Sequence, residues 1–163
     1  MRTFRLLAWV VTLSAAWTVP AAEPAGQEKP IVSAALLADV GSVRPGDSFT
    51  LGVRLKVRPK WHTYWINPGE TGQETQVAMS GPPGFKFGDV QWPLPRRIES
   101  FGAITFGYEE EVLLLIPVTV AADAPASGPA VLWAQVTWQA CHDTCVEGEE
   151  KLALTLPFGA AGT

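Results

Sequence analysis

The segment SFTLGVRLKV, residues 48–57, alternates without a break: Phe49, Leu51, Val53, Leu55 and Val57 against Thr50, Gly52, Arg54 and Lys56. A period of two over nine residues fits a strand with one buried face, because successive side chains on a strand point to opposite sides. The rest of the chain is cut into similarly short pieces by 14 Pro and 15 Gly. That punctuation disfavours long helices, and no segment carries a capped helical stripe.

Ahead of this strand, Arg44-Pro45-Gly46-Asp47 reads as a turn, with Pro setting one φ and Gly permitting the reversal. Further strands are expected at 31–40, 61–66, 85–92, 111–120, 131–140 and 151–158. The run EVLLLIPVTV, 111–120, is continuously apolar and fits a sandwich core strand. Its Pro117 has no N–H, so one side of that strand is an edge or a bulge. In 131–140, Leu132, Ala134, Val136 and Trp138 share a face; in 151–158, Leu152, Leu154 and Leu156 do. Asn67-Pro68-Gly69 reads as a turn, and Glu109, Glu110 and Glu111 as a solvated strand entry. Seven or eight short strands in one domain make the expected fold all-β, an immunoglobulin-like antiparallel β-sandwich.

The N-terminus reads differently. MRTFR carries two arginines, then comes an uncharged run of 14 residues, LLAWVVTLSAAWTV, then PAAEPAG. This is the layout of a secretory signal peptide, expected to end at Ala22. The apolar run is shorter than the roughly 20 residues of a membrane-spanning helix. Residues 23–30 read as a flexible leader, 31–158 as the domain and 159–163 as a frayed tail. The expected location is the periplasm, with no membrane insertion after cleavage. Without Arg2 and Arg5 the chain keeps 10 basic and 16 acidic residues. No basic patch appears, which argues against nucleic acid as a partner.

The only cysteines, Cys141 and Cys145, stand in TWQACHDTCVEGEEKL, residues 137–152. An exported chain lives where disulfides form. The three-residue connection His142-Asp143-Thr144 fits a hairpin tip. Positions paired across a hairpin bring Cα atoms within the range of about 4.4–6.8 Å that a disulfide tolerates. Such a short ring constrains the unfolded chain weakly, by about 2 kcal/mol in the chain-entropy model. Three readings stay open on the residues alone: an inert staple, a thiol–disulfide exchange centre, and a copper(I) or zinc clip using Cys141, His142, Cys145 and His62. His142 lowers a neighbouring thiol pKa when protonated; Asp143 and Glu147 raise it. The set lacks the two spaced ligand pairs of a four-coordinate site, so no resident metal or other cofactor is expected.

Three segments carry a family resemblance: WHTYWINPGETGQ (61–73), QWPLPRRIESFGAITFGYEEEVLLLIPV (91–118) and WQACHDTCVEGE (138–149). In order and spacing they resemble the N-terminal periplasmic domain of the DsbD and ScsB thiol:disulfide interchange proteins, over roughly 31–158. The resemblance implies an immunoglobulin-like sandwich and a reactive Cys141–Cys145 pair, with Cys145 bonding to partners and Cys141 resolving. It implies a separate membrane electron donor and periplasmic thioredoxin-fold proteins as partners, since the membrane and thioredoxin domains of those proteins have no counterpart in this sequence. It also implies a cap loop at Glu99-Ser100-Phe101-Gly102, with Phe101 as the covering aromatic, and Trp61, His62 and Tyr64 lining the site. The cysteine spacing is closer to the ScsB branch, and the acidic pair before the DsbD cap aromatic is reduced here to Glu99 and Ser100. The alternatives in function are a non-catalytic immunoglobulin-like binding module with a structural disulfide, and a copper-handling protein.

Overall fold

In the computed structural model, which describes residues 29–159, ten strands form two antiparallel sheets. The first sheet has the order β1-β2-β8-β5, from β1 (Val32–Ala38), β2 (Ser48–Val57), β8 (Glu111–Val120) and β5 (Phe85–Phe87). The second runs β10-β9-β3-β7-β6, from β10 (Cys145–Leu156), β9 (Ala130–Cys141), β3 (His62–Gly69), β7 (Ala103–Glu109) and β6 (Arg96–Ser100). A further strand, β4 (Gln76–Ser80), also pairs with β9. The immunoglobulin-like sandwich expected from the alternation is present. The expected signal peptide, 1–22, and residues 23–28 of the expected leader lie outside the described residues, as do residues 160–163 of the tail. Among the described residues no helix is long and apolar enough to cross a membrane.

The core forms where the alternating faces meet. Leu51, Val53 and Leu55 of β2 and Leu114, Ile116 and Val118 of β8 are buried against Leu132, Ala134 and Val136 of β9. The 48–57 and 111–120 strands fall where the sequence puts them, but β8 is not buried on both faces. Leu113 and Leu115 point outward and are partly exposed; the apolar run hides an ordinary alternation. The turn before β2 also forms: Asp47 N donates to the Arg44 carbonyl at 3.1 Å, and Gly46 has a φ of 88°.

Pro117 explains why the strand expected at 85–92 shrinks to Phe85–Phe87. Gly88 N donates to the Pro117 carbonyl at 2.8 Å, so Pro117's nitrogen faces the same neighbour and offers it nothing in return. The chain leaves the ladder there and touches β8 again only through the Gln91–Leu115 bridge. Asn67-Pro68-Gly69 sits inside β3 as an irregularity: the register with β7 shifts between Tyr64 and Gly69. Three strands go beyond the sequence expectation, β4, β6 and β7. The β6–β7 turn consists of Phe101 and Gly102, both at positive φ (53° and 76°), a type I′ hairpin turn. The start of the tail is tied in, since Val43 N donates to Pro157 O and Gly159 N to Val43 O.

Candidate functional site

Strand β9 alternates between two surfaces. Leu132, Ala134, Val136, Trp138 and Ala140 enter the sandwich core, so Gln139 and Cys141 point out of the opposite face. Cys141 closes β9 and Cys145 opens β10, and the two are in register. His142 N donates to the Thr144 carbonyl at 3.0 Å. That bond makes 142 and 144 the hydrogen-bonded pair and leaves Cys141 and Cys145 as the adjacent non-hydrogen-bonded pair, where side chains lie closest. Their Cα atoms are 4.2 Å apart and the sulfurs are joined in a disulfide.

The two cysteines are unequally exposed. Cys141 is 0% exposed, whereas Cys145 is exposed on the edge strand. Cys141 is covered although it points away from the core, because a second small layer lies over this face. Segment 70–75 lies over this face against Tyr64 and Gln139. Thr75 Oγ1 donates to the Tyr64 carbonyl at 2.8 Å, and Gln73 N donates to Gln139 Oε1 at 3.1 Å. Gly72, at a φ of 100°, sits so close to the Tyr64 ring that a Cβ would overlap it. Gln139 Oε1 itself lies 3.9 Å from Cys141 Sγ. Beside the disulfide, a groove of about 380 Å³ runs along β9, lined by Gln73, Gln76, Gln139, Glu147 and Glu149 among others.

Register carries the site further across the sheet. His62 of β3 is the partner of Cys141 on one side and of Glu109 of β7 on the other. Directly paired residues share a face, so Cys145, Cys141, His62 and Glu109 form one transverse row over four strands. His62 is 4% exposed and its Nε2 has no hydrogen-bond partner. Burial pushes its pKa below the ordinary 6.5; Glu109 raises it and His142 lowers it further, both to a lesser extent. The imidazole is therefore neutral at neutral pH. Its ring meets Tyr64 edge-on at 5.1 Å, and burial raises the Tyr64 phenol pKa.

Of the residues singled out in the sequence, Trp61, His62, Tyr64 and His142 gather around the cysteines. Trp61 meets His142 edge-on at 6.0 Å, and His142 Nδ1 lies 3.4 Å from Asp143 Oδ1. Glu99 is exposed on β6. Phe101 is 62% exposed at the β6–β7 turn and is not a core residue; it leaves Cys145 uncovered in this structure. The sequence marks Glu109 only as part of a solvated strand entry. It pairs with Arg96 at 3.1 Å and abuts His62 in register. Only strand pairing reveals it, since nothing in a run of three glutamates marks which one faces a histidine. Among the described residues no group of three or more His, Cys, Asp or Glu side chains is arranged to hold a metal ion.

The family model for "Thiol:disulfide interchange protein DsbD, N-terminal" matches residues 32–157. The crystal structure of the N-terminal periplasmic domain of ScsB from Proteus mirabilis is similar, with a TM-score of 0.56 at 24% identity, over 74% of this chain and 44% of that one. The chain thus spans less than half the length of that relative. The DsbD N-terminal domain of Neisseria meningitidis, in its reduced form, aligns over 78% of this chain and 86% of its own, at 15% identity and a TM-score of 0.46. No curated protein matches the sequence.

Proposed function

The chain belongs to the family of DsbD N-terminal thiol:disulfide interchange domains, and from that premise we propose that it is a periplasmic exchange module working through Cys141 and Cys145. The observation that carries this reading is the asymmetry of the disulfide: one cysteine buried, one exposed, in a ring spanning only four positions. An exchange centre needs one sulfur that a partner reaches and one that it does not. A staple needs neither.

In the proposed cycle, the reduced Cys145 thiolate attacks a partner disulfide and expels one partner thiolate, leaving a mixed disulfide on Cys145. Cys141 then attacks Cys145 Sγ. The partner leaves as a dithiol, and its two electrons have come from the cysteine pair, which is now oxidised. The partners are periplasmic thioredoxin-fold proteins, and a membrane reductant restores the dithiol. Phe101 is the candidate cap. A large aromatic held in water at positive φ, in a turn position that favours Asn, Asp or Gly, costs local stability. Strain of this kind gathers at functional sites.

Single cysteine variants test the proposal. Cys141→Ser retains the exposed sulfur and lacks the resolving one, so it should accumulate a mixed disulfide with a thioredoxin-fold protein, visible on non-reducing gels. Cys145→Ser should trap little, because its remaining sulfur is buried. If neither variant traps such a protein, the proposal fails, and a binding module with a structural disulfide takes its place.

A further inference from the structure

We infer that His62 is the proton acceptor for Cys141 when the buried thiol closes the disulfide, and the proton donor to it when the disulfide opens. The inference rests on the exchange reading above and assigns a role within that site.

The need follows from burial. An unperturbed thiol with a pKa of about 8.5 is only about 3% thiolate at pH 7. Apolar burial raises the pKa and reduces that fraction, and Cys141 has no solvent access. In the disulfide form Gln139 Oε1 stands 3.9 Å from this sulfur, but an amide oxygen does not take up a proton at neutral pH. Water cannot easily take the proton from such a position. The attacking form of Cys141 therefore requires a base inside the covered layer.

His62 meets the requirement on two independent observations. It is the cross-strand partner of Cys141, which puts the two Cβ atoms about 4.5–5.5 Å apart on one face. Its Nε2 is buried and unpartnered, and an orphaned buried polar atom in a native fold calls for an explanation. His62 is paired in register with one cysteine of that disulfide, so the thiol freed by reduction is the candidate partner for its open nitrogen. Burial also keeps the imidazole neutral, which is the form that accepts a proton.

The step balances. From the mixed disulfide on Cys145, the Cys141 S–H proton passes to His62 Nε2, and the Cys141 sulfur bonds to Cys145 Sγ. The bond from Cys145 to the partner sulfur breaks with its electron pair, releasing a partner thiolate. The imidazolium then returns its proton to solvent or to that thiolate. In reverse, the imidazolium protonates Cys141 as a partner thiolate attacks Cys145. The groups facing His62 are Cys141 from β9, Glu109 from β7 with Arg96 of β6 beyond it, Tyr64 on its own strand, and His142 from the turn. Glu109 favours the imidazolium transiently formed.

The test uses reduced wild type and His62→Gln with dithiobis-nitrobenzoate as the disulfide. Cys145 releases a first nitrothiobenzoate on attack; ring closure by Cys141 releases the second. In His62→Gln the second phase should slow about a hundredfold or more at neutral pH, the usual range of base catalysis, while the first changes little. The wild-type second phase should lose rate as pH falls through the His62 titration; the variant should instead track hydroxide throughout. A second phase of unchanged rate and pH profile overturns the inference. If His62→Gln does not fold, wild type decides it: the His62 ring protons, followed by NMR, should titrate at different pH in the oxidised and reduced protein. Identical midpoints overturn the inference. Because this assay needs no biological partner, its failure is separable from failure of the trapping experiment.

Discussion

Reducing the disulfide should leave the domain folded and only modestly less stable. The ring that it closes spans a sequence separation of four. The chain-entropy relation gives about 2 kcal/mol for so short a loop, against about 4.7 for a loop of 100 residues. The core does not depend on it, since Leu51, Val53, Leu55, Leu114, Ile116, Leu132 and Val136 are buried elsewhere in the sandwich. With an unfolding entropy of about 2.1 cal/mol/K per residue, a domain of about 130 residues should lose about 7 °C in Tm on reduction. The assay is thermal unfolding by circular dichroism or calorimetry, with and without a phosphine reductant, with the thiol state checked by alkylation and mass. A fall of more than about 20 °C, or unfolding at room temperature, would refute the reasoning, because a short-range ring cannot supply that much through the unfolded state.

Other perturbations read other parts of the account. His62 has a lowered pKa in the folded chain, so between that value and 6.5 the unfolded chain binds a proton that the folded one does not. Stability should therefore fall as pH drops below about 6.5, by at most about 1.4 kcal/mol per pH unit from this group, and His62→Gln should remove that component from urea midpoints. Phe101→Asn creates Asn-Gly at the type I′ turn and should stabilise by about 1 kcal/mol in chemical denaturation. If Phe101 is the cap, the same change should speed alkylation of the reduced thiols; an unchanged rate would remove the cap role. Gly107→Ala drives a Cβ into the Thr63 carbonyl and should cost more than about 3 kcal/mol, read as a large drop in denaturant midpoint.

The parts of the fold visible in the sequence are those where burial alternates with period two. β2 alternates with Arg54 and Lys56 on the outer face, and its limits follow directly. β7 is less legible. Its sequence AITFGYE places Gly107, not a large apolar residue, at a buried position, because the Thr63 carbonyl occupies the space. A glycine that excludes a side chain looks in sequence like one that ends a strand. The shortening of β5 depends on Pro117, nearly 30 residues away, and pairing at that range is not written locally. The site divides in the same way. The cysteine motif and the aromatic His62 segment stand out in the chain, but their meeting depends on β3 pairing with β9 at two positions only, His62 with Cys141 and Thr63 with Ala140. The burial of Cys141 is also invisible in sequence, since segment 70–75 folds back over the outer face against Gln139 and Tyr64 only in the folded chain.

The reduction potential of the Cys141–Cys145 pair tests the central claim most directly. It is measured by equilibration in thiol redox buffers, with quenching by alkylation and readout by mass. The account predicts a value between about −180 and −270 mV, where proteins that exchange disulfides with thioredoxin-fold partners operate. A value below about −300 mV would contradict it, because a pair that resists reduction in that way behaves as a structural disulfide.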